Sequence, residues 1–180
     1  MNHTLRKRTG RSVLVIAVMF AAAWFTPTRT LAADTSCAAN PKSRALDFWL
    51  GDWSIAAPGG GPDASSSVTP DLDHCLVVER WKGGDETGVN FFGYSPDDKS
   101  WHGLFANNQG HIHVFFDGTV ASDIAEFTGP NKGPDGRTIV NRITIRRIDA
   151  NHAEQMWEKS PDGGKTWTTL FRLQYTRKQP

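Results

Sequence analysis

Apolar and polar residues alternate in short runs from about residue 52 to the C-terminus, and clusters of Pro, Asp, Gly and Asn separate the runs. Alternation with a period of two places side chains on opposite faces of a β-strand in turn. Regularly spaced runs of this kind are typical of an antiparallel meander. The pattern predicts ten strands, near 52–56, 66–71, 76–82, 87–94, 101–107, 111–117, 124–128, 138–148, 154–160 and 166–177.

The segments between the predicted strands carry strong turn signals, at 58–63, 95–98, 133–136 and 160–164. Each combines proline, which fixes φ, with glycine or aspartate, which tolerate positive φ. Helical character is limited to a short turn at 43–49. Because no helix covers the sheet, closure into a barrel is the simplest way to remove exposed strand edges. We predict an all-β fold, a single antiparallel up-and-down β-barrel of about ten strands, with a two-sheet sandwich as the alternative.

The first 32 residues have the organisation of a secretory signal peptide. Four basic residues and no acid precede an apolar stretch at 12–25, which is shorter than the roughly 20 residues that a membrane-spanning helix needs. Small residues follow, and we expect cleavage after Ala32 or Ala33. The predicted organisation is a signal peptide (1–32), an N-terminal tail (33–45) and a barrel domain (46–180). An uncleaved membrane anchor is the alternative.

Cleavage changes the charge of the chain. The full sequence has 20 Lys and Arg and 19 Asp and Glu; residues 1–32 hold five of the basic residues and none of the acids, which leaves 15 against 19 and a net charge of −4. No basic excess indicates nucleic-acid binding. We therefore expect a periplasmic or secreted single domain with no nucleic-acid partner and no stable membrane insertion after cleavage.

Both cysteines, Cys37 and Cys75, lie in the mature part of the chain. An exported protein reaches an oxidising compartment, where an even number of cysteines favours pairing. We predict a Cys37–Cys75 disulfide that ties the N-terminal segment to the barrel wall. Two separate buried thiols are the alternative. Thiol catalysis is disfavoured, because the two cysteines do not form a Cys-x-x-Cys pair.

Three segments carry recognisable motifs: Leu46–Trp53 (Leu-Asp-Phe-Trp-Leu-Gly-Asp-Trp), Cys75–Trp81 with its Cys-x-x-x-Glu-x-Trp spacing, and Trp157–Trp167. Together they resemble a bacterial family of exported, calycin-like (lipocalin-like) proteins of unknown function. The resemblance implies that the first-strand tryptophan, here Trp53, lies at the closed end of the barrel beneath a basic side chain from the last strand. Arg177 is the candidate, because it shares a face with apolar residues of that strand. We expect both residues to be structural.

Two ionisable side chains fall on predicted apolar faces. Glu79 shares its side of a strand with Val77 and Trp81. His102 shares a hairpin face with apolar residues at 104, 106, 112, 114 and 116. We expect both faces to line the barrel interior. A buried carboxylate must be paired, hydrogen-bonded or protonated. Glu79 is therefore half of a structural ion pair with an inward arginine, a polar anchor for a ligand, or a general acid or base.

Four further residues complete the predicted ligand site: Asn90, Arg142, Gln155 and Trp157. Asn90 shares its side of a strand with Phe92, and Trp157 supplies an aromatic wall. The direction of the Arg142 side chain is not decided by the pattern. This residue lies on the opposite side of its strand from an apolar set of isoleucines, so exposure to solvent is the alternative to a place in the ligand site.

The histidines do not predict a metal site. His111 and His113 project to one face of a strand. The expected hairpin register, in which Phe105 lies opposite His113, places His102 on the other face. Two histidines without a third ligand make a weak site. A haem barrel of the nitrobindin type needs an axial histidine near the C-terminus, whereas the last histidine, His152, lies in a turn. We therefore predict no metal and no cofactor.

Three functions fit this architecture. The preferred one is an exported protein that holds a small, largely apolar molecule in the barrel, with Glu79, Asn90 and His102 setting its orientation. The first alternative is an enzyme of the lyase, hydratase or isomerase kind, in which Glu79 and His102 move a proton. The second is a filled barrel that contacts an envelope protein through its outer surface. The sequence does not identify the ligand or the oligomeric state.

Overall fold

The structure is a computed structural model that describes residues 36–56, 64–133 and 135–179. The predicted signal peptide and the turn at 58–63 lie outside the described residues. Two 3₁₀ turns, Cys37–Ala39 and Asp47–Trp49, come first. Ten strands follow: β1 (Gly51–Ala56), β2 (Ala64–Asp71), β3 (Leu76–Gly83), β4 (Glu86–Ser95), β5 (Ser100–Asn107), β6 (Ile112–Ala121), β7 (Ile124–Lys132), β8 (Thr138–Arg147), β9 (His152–Ser160) and β10 (Thr168–Arg177).

The ten strands form one closed antiparallel barrel. Each pairs with its neighbours in sequence, and β1 pairs with β10 to complete the circle. Closure matters because an unpaired strand edge exposes backbone groups that other chains can bind. The predicted all-β fold, a single closed antiparallel barrel of about ten strands, is confirmed. None of the helices in the described segments is long and apolar enough to cross a membrane.

β6 and β7 extend several residues past their predicted ends, to Ala121 and Lys132. Asp117-Gly118, a residue pair typical of turns, lies at the predicted end of β6. In the structure Gly118 is paired within the sheet with Phe127. A Cβ at residue 118 would lie 2.6 Å from Cδ1 of that ring. This glycine therefore marks a close approach between an aromatic ring and a strand.

Aromatic side chains fill the closed end of the barrel. Trp49 packs edge-on against Phe92 and Tyr175, with ring centroids 6.0 Å and 6.2 Å apart. Trp53 packs against Tyr175 at 6.1 Å, and its indole nitrogen donates a hydrogen bond of 3.0 Å to the Trp49 carbonyl. Large buried aromatic rings contribute much of the apolar area that stabilises a small domain. The 3₁₀ turn before β1 thus places the Trp49 side chain in the space at this end of the barrel.

Arg177 lies over the Trp53 ring at this end of the barrel. Its guanidinium carbon lies 4.1 Å from the centroid of the Trp53 ring. The same group donates hydrogen bonds to the carbonyls of Leu50 (2.6 Å) and Phe48 (3.4 Å), while its Nε donates to Ala150 (3.1 Å). A cation over an indole face, with its N–H groups on backbone carbonyls, holds the chain before β1 against β10.

The predicted disulfide joins Cys37 to Cys75, with 4.9 Å between the two Cα atoms. It links the first 3₁₀ turn to the residue before β3. The turn that connects β2 to β3 has an unusual backbone, because Leu72, Asp73 and His74 have φ values of 47°, 54° and 61°. Non-glycine residues rarely adopt this left-handed conformation. The disulfide therefore fixes the chain at the end of a strained turn.

The loop between β9 and β10 is organised by two side chains. The Ser160 hydroxyl accepts a hydrogen bond from the Gly164 N–H (2.7 Å). The Asp162 carboxylate accepts from the N–H groups of Lys165 (3.1 Å) and Thr166 (2.9 Å) and from the Thr166 hydroxyl (2.7 Å). Hydrogen bonds to a carboxylate favour its charged form. The bonds from Thr166, followed by that from Ser160, lower the pKa of Asp162 to about 2.

Candidate ligand cavity

Glu79 lies inside the barrel and is completely buried. Its oxygen Oε1 accepts hydrogen bonds from the hydroxyls of Ser66 (2.7 Å) and Tyr175 (2.9 Å). Its other oxygen, Oε2, accepts one from the Asn90 amide (2.7 Å). The donors come from β2, β10 and β4, so the carboxylate joins separate walls of the barrel. We call Ser66, Glu79, Asn90, Gln155 and Tyr175 the polar cluster.

The charge of Glu79 has no cationic partner among the described residues. The expected alternative of an ion pair with an inward arginine is therefore not realised. Burial is the largest influence on the carboxyl and raises its pKa above the usual value. Hydrogen bonds from Ser66, Tyr175 and Asn90 oppose that shift, as does the nearby Gln155 amide. Neutral donors thus replace the expected cation.

A cavity of about 310 Å³ adjoins the polar cluster. Asn90, Gln155 and Tyr175 belong to both, so the cluster forms the polar part of the cavity wall. The remaining wall is mostly apolar, and Glu86 is the one acid among the described lining residues. The lining residues are Ile55, Ala64, Trp81, Gly83, Glu86, Asn90, Phe105, Gln155, Trp157, Phe171, Leu173 and Tyr175.

Five of the lining residues are aromatic, and four of them form a continuous chain of ring contacts. Trp81 stacks on Phe105 with centroids 6.4 Å apart and planes 11° from parallel. Trp157 packs edge-on against Phe105 (5.1 Å) and at an angle against Phe171 (5.7 Å). A hydrogen bond of 3.0 Å from the Trp157 indole nitrogen to Asn141 Oδ1 fixes the orientation of that ring. We call Trp81, Phe105, Trp157 and Phe171 the aromatic wall.

His102 is not in the cavity, contrary to the expected face of its hairpin. Its imidazole is 37% exposed on the outer surface, where Nε2 lies 2.8 Å from Asp98 Oδ2. The neighbouring residues Trp101 and Gly103 are the buried ones on β5, and Phe115 is buried on β6. The error arose because both faces of this hairpin are apolar, so alternation separates the faces without showing which is inside.

Arg142 also lies outside the barrel. Its neighbours Asn141 and Ile143 are buried on the inner face of β8, which places Arg142 on the opposite face. There its Nη2 pairs with Glu158 Oε2 at 2.7 Å, and its guanidinium carbon lies 4.0 Å from the centroid of the Trp167 ring. The prediction that Arg142 binds a ligand is therefore wrong, because its side chain belongs to an ion pair on the outer surface. These contacts connect β8 to β9 and to the β9–β10 loop.

Two members of the polar cluster were missed in the sequence. Tyr175 lies on the same face of β10 as Leu173, as the alternation of that strand indicated. Its hydroxyl was not considered as a hydrogen-bond donor to a buried acid. Ser66 lies two residues before the buried Val68. Hydroxyls on an otherwise apolar strand face opposite a buried acid were the available signal.

His113 lies half-buried beside the aromatic wall, 5.8 Å from the Phe105 ring and 5.1 Å from the Trp157 ring. Burial is the main cause that lowers its pKa. Within the described segments, no group of three or more His, Cys, Asp or Glu side chains is arranged to hold a metal ion. His113 packs against this part of the aromatic wall.

No family model and no curated protein matches this chain. Among solved structures it is similar to the one described as "EF1p2_mFAP2b bound to DFHBI", with 12% sequence identity and a TM-score of 0.33. The matched region covers 76% of this chain and 99% of that chain. At this level the likeness carries no argument about a ligand, so the function rests on the cavity and the polar cluster.

Proposed function

We propose that the protein binds a small, largely apolar molecule in the cavity, with the polar cluster setting its orientation. The observation that supports this is a fully buried carboxylate, hydrogen-bonded by three neutral donors, behind the wall of a mostly apolar cavity. Apolar pockets with a few convergent polar groups are the usual form of small-molecule sites. Asn90, Gln155 and Trp157 remain ligand-binding candidates, whereas His102 and Arg142 do not.

The size of the cavity limits the ligand. About 310 Å³ is at the lower end of the roughly 300–1,000 Å³ typical of small-molecule pockets. A molecule of one or two rings fits such a space, whereas a long acyl chain does not. The closed end offers no extension, because the aromatic rings around Trp49 fill it.

The structure does not support the alternative of an enzyme in which Glu79 and His102 transfer a proton. This alternative required Glu79 and His102 to face one ligand, and the structure places His102 on the outer surface, paired with Asp98. General acid–base catalysis needs a group within hydrogen-bond reach of the transferred proton. Glu79 alone, with its oxygens occupied by Ser66, Tyr175 and Asn90, supports binding better than catalysis.

Export and the family resemblance belong to the same proposal. The Cys37–Cys75 disulfide fits an oxidising compartment, and the basic and apolar segments of residues 1–32 fit a signal peptide. We propose a mature domain of about residues 33–180 in the periplasm or outside the cell. Cell fractionation and the intact mass of the recovered protein test this, and a cytoplasmic chain that retains residues 1–32 would contradict it.

The outer face of the β5–β6 hairpin supports a second candidate function, contact with another protein. Ile112 and Phe116 are 63% and 54% exposed, and they share that face with Leu104 and Val114. Neighbouring exposed apolar side chains are typical of interaction surfaces. A Phe116→Ser variant that loses a co-purifying protein while retaining a small molecule would separate this function from ligand binding.

Native mass spectrometry of the protein purified from the compartment where it accumulates tests the main proposal. We expect a retained small molecule in the wild type. Leu173→Trp fills the cavity from the lining of β10, so this variant should lose the molecule. Leu170→Trp, the same change at a position that does not line the cavity, is the matched control and should retain it.

Two outcomes would contradict the proposal. A wild type that carries no molecule and shows no thermal shift with any member of a metabolite library argues for a barrel that acts only through its surface. A molecule that Leu173→Trp retains as well as Leu170→Trp does would show that the bound compound lies elsewhere.

A further inference from the structure

Glu86 is the one charged side chain among the described residues that line the cavity. It shares the inner face of β4 with Gly88 and the buried Asn90, as the alternation of that strand requires. The Asn107 amide donates a hydrogen bond of 2.6 Å to its oxygen Oε1. The second oxygen, Oε2, has no donor among the described residues and is not enclosed by protein. One carboxylate oxygen is therefore held in place, while the other can accept from a ligand.

The polar cluster does not compete with Glu86 for a charged group of the ligand. Its three hydrogen-bonded donors point to Glu79, and Glu79 itself is completely buried. No described lining residue is basic. An anionic ligand would therefore lie beside an acid without a compensating cation. A positive charge beside Glu86 is favoured, because opposite charges attract more strongly where protein partly excludes water.

The aromatic wall lies beside this carboxylate. The Trp81 ring lies against Gly88, two residues from Glu86 on the same face, and a Cβ at residue 88 would lie 2.4 Å from Trp81 Nε1. Phe171, another member of the wall, is 39% exposed. Aromatic faces attract both cations and other aromatic rings. Aromatic side chains gathered around a positive group are a usual means of recognising organic ammonium ions.

We infer that the cavity takes a cationic aromatic amine, with its ring against the aromatic wall and its ammonium group on Glu86 Oε2. This inference rests on the proposed ligand-binding function and deepens it by naming the chemical class. Glu86 follows the turn between β3 and β4 at the open end of the barrel. The remaining N–H groups of the ammonium can therefore stay hydrated. Arylalkylamines with one ring or a fused pair of rings belong to this class.

Binding of four compounds of similar size to the protein produced from the full-length gene tests this inference. The compounds are phenethylamine, phenethyl alcohol, cyclohexylethylamine and phenylpropanoate. The alcohol keeps the ring without the charge, the cyclohexyl compound keeps the charge without the aromatic ring, and phenylpropanoate reverses the charge. By NMR titration we expect phenethylamine to bind at least about tenfold more tightly than the alcohol and phenylpropanoate, the factor that a hydrogen bond to a charged group provides. It should bind about threefold more tightly than cyclohexylethylamine, because only an aromatic ring stacks on the wall.

Glu86→Gln removes the charge and keeps a side chain of the same size. It should weaken both amines about tenfold and leave phenethyl alcohol unchanged, which also shows that the variant folds. Glu126→Gln removes the same charge from the outer face of β7, between the buried Ala125 and Phe127, and should change none of the affinities. The comparison separates loss of a ligand contact from a general change in the charge of the protein.

Several results would overturn the inference alone. They are phenethyl alcohol or cyclohexylethylamine binding as tightly as phenethylamine, phenylpropanoate binding most tightly, and Glu86→Gln binding the amine as tightly as wild type does. Retention of phenethylamine by Leu173→Trp would place the amine outside the cavity and overturn it as well. If none of the four compounds binds, the inference fails, and the proposed function fails with it only if native mass spectrometry also finds no retained molecule.

Discussion

Gly51 controls the distance between the closed end of the barrel and the last strand. Its φ is +134°, and a Cβ at this position would lie 2.1 Å from Arg177 Nη1. Alanine would therefore combine backbone strain with displacement of the guanidinium from the Trp53 ring. We expect Gly51→Ala to lower the free energy of unfolding by at least about 2 kcal/mol, as such combined defects do, measured by urea denaturation.

Gly110→Ala is the matched control for the backbone contribution. Gly110 also has a positive φ, +82°, but nothing lies within 4 Å of a Cβ there. It should cost only about 1–2 kcal/mol, the strain of a left-handed L-residue. Equal losses in the two alanine variants would mean that the contact of Arg177 with Gly51 adds nothing to stability.

Glu79 makes stability depend on pH in an unusual direction. Burial raises the pKa of its carboxyl in the folded state above the ordinary 4.5. At a pH between the ordinary pKa of the unfolded chain and the raised pKa of the folded state, the folded protein binds the proton and the unfolded chain does not. The free energy of unfolding of the wild type therefore falls as pH rises through this range. Glu79→Gln removes this effect. Its stability relative to wild type should increase from pH 4.5 upward, by at most about 1.4 kcal/mol per pH unit, until the folded pKa is passed.

Asp162 supplies a test of opposite sign. The pKa of its carboxyl is lowered to about 2 from 3.8, so its contribution to stability is present above pH 4 and is lost as pH falls towards 2. Asp162→Asn should therefore be less stable than wild type at neutral pH and approach it in acid. Denaturation curves for both variants across pH distinguish the two behaviours, and a parallel response of Glu79→Gln and Asp162→Asn would contradict the assignment.

At the scale of elements, the disulfide and the β2–β3 turn act together. The bond closes a loop with a sequence separation of 38 residues and ends the left-handed run that begins at Leu72. Loop closure restricts the unfolded chain and is worth up to about 4 kcal/mol in the chain-entropy model. We expect the double variant Cys37→Ser/Cys75→Ser to lose up to that amount, measured by urea denaturation.

Reduction gives the corresponding control. A reducing agent should lower the denaturation midpoint of the wild type to that of the double variant and leave the double variant unchanged. If the wild type is indifferent to the reductant, either the bond is inaccessible while the chain is folded or it contributes no stability. Repeating the measurement on protein that was reduced while unfolded separates these two results.

The β5–β6 hairpin shows where sequence reasoning at this scale stops. The predicted pairing of Phe105 with His113 is present in the sheet, so turn position and alternation were sufficient to set that register. They could not identify the inner face, because apolar residues occupy both sides. A register shift between Trp101 and Gly103 also has no signal in the alternation. His102 was therefore assigned to the wrong side of a correctly placed strand.

For the whole molecule, the number and order of the strands followed from local patterns, because each strand pairs with the next one in the chain and each turn has its own sequence signal. The polar cluster is different. The Tyr175 hydroxyl meets Glu79 across 96 residues of sequence, and no local pattern specifies such a contact. Sequence could indicate that Glu79 needs a partner, but only the closed barrel shows which donors surround it.

The placement of the tryptophans gives the protein a built-in optical probe. Trp81 and Trp157 line the cavity, whereas Trp49, Trp53 and Trp101 are buried in the core and Trp167 lies beneath Arg142. A compound that enters the barrel should change the fluorescence of the first pair and leave the other four tryptophans of the described residues as a constant background. Occupancy can therefore be followed without a label, and replacing Trp81 and Trp157 with phenylalanine should make the emission insensitive to the same compound.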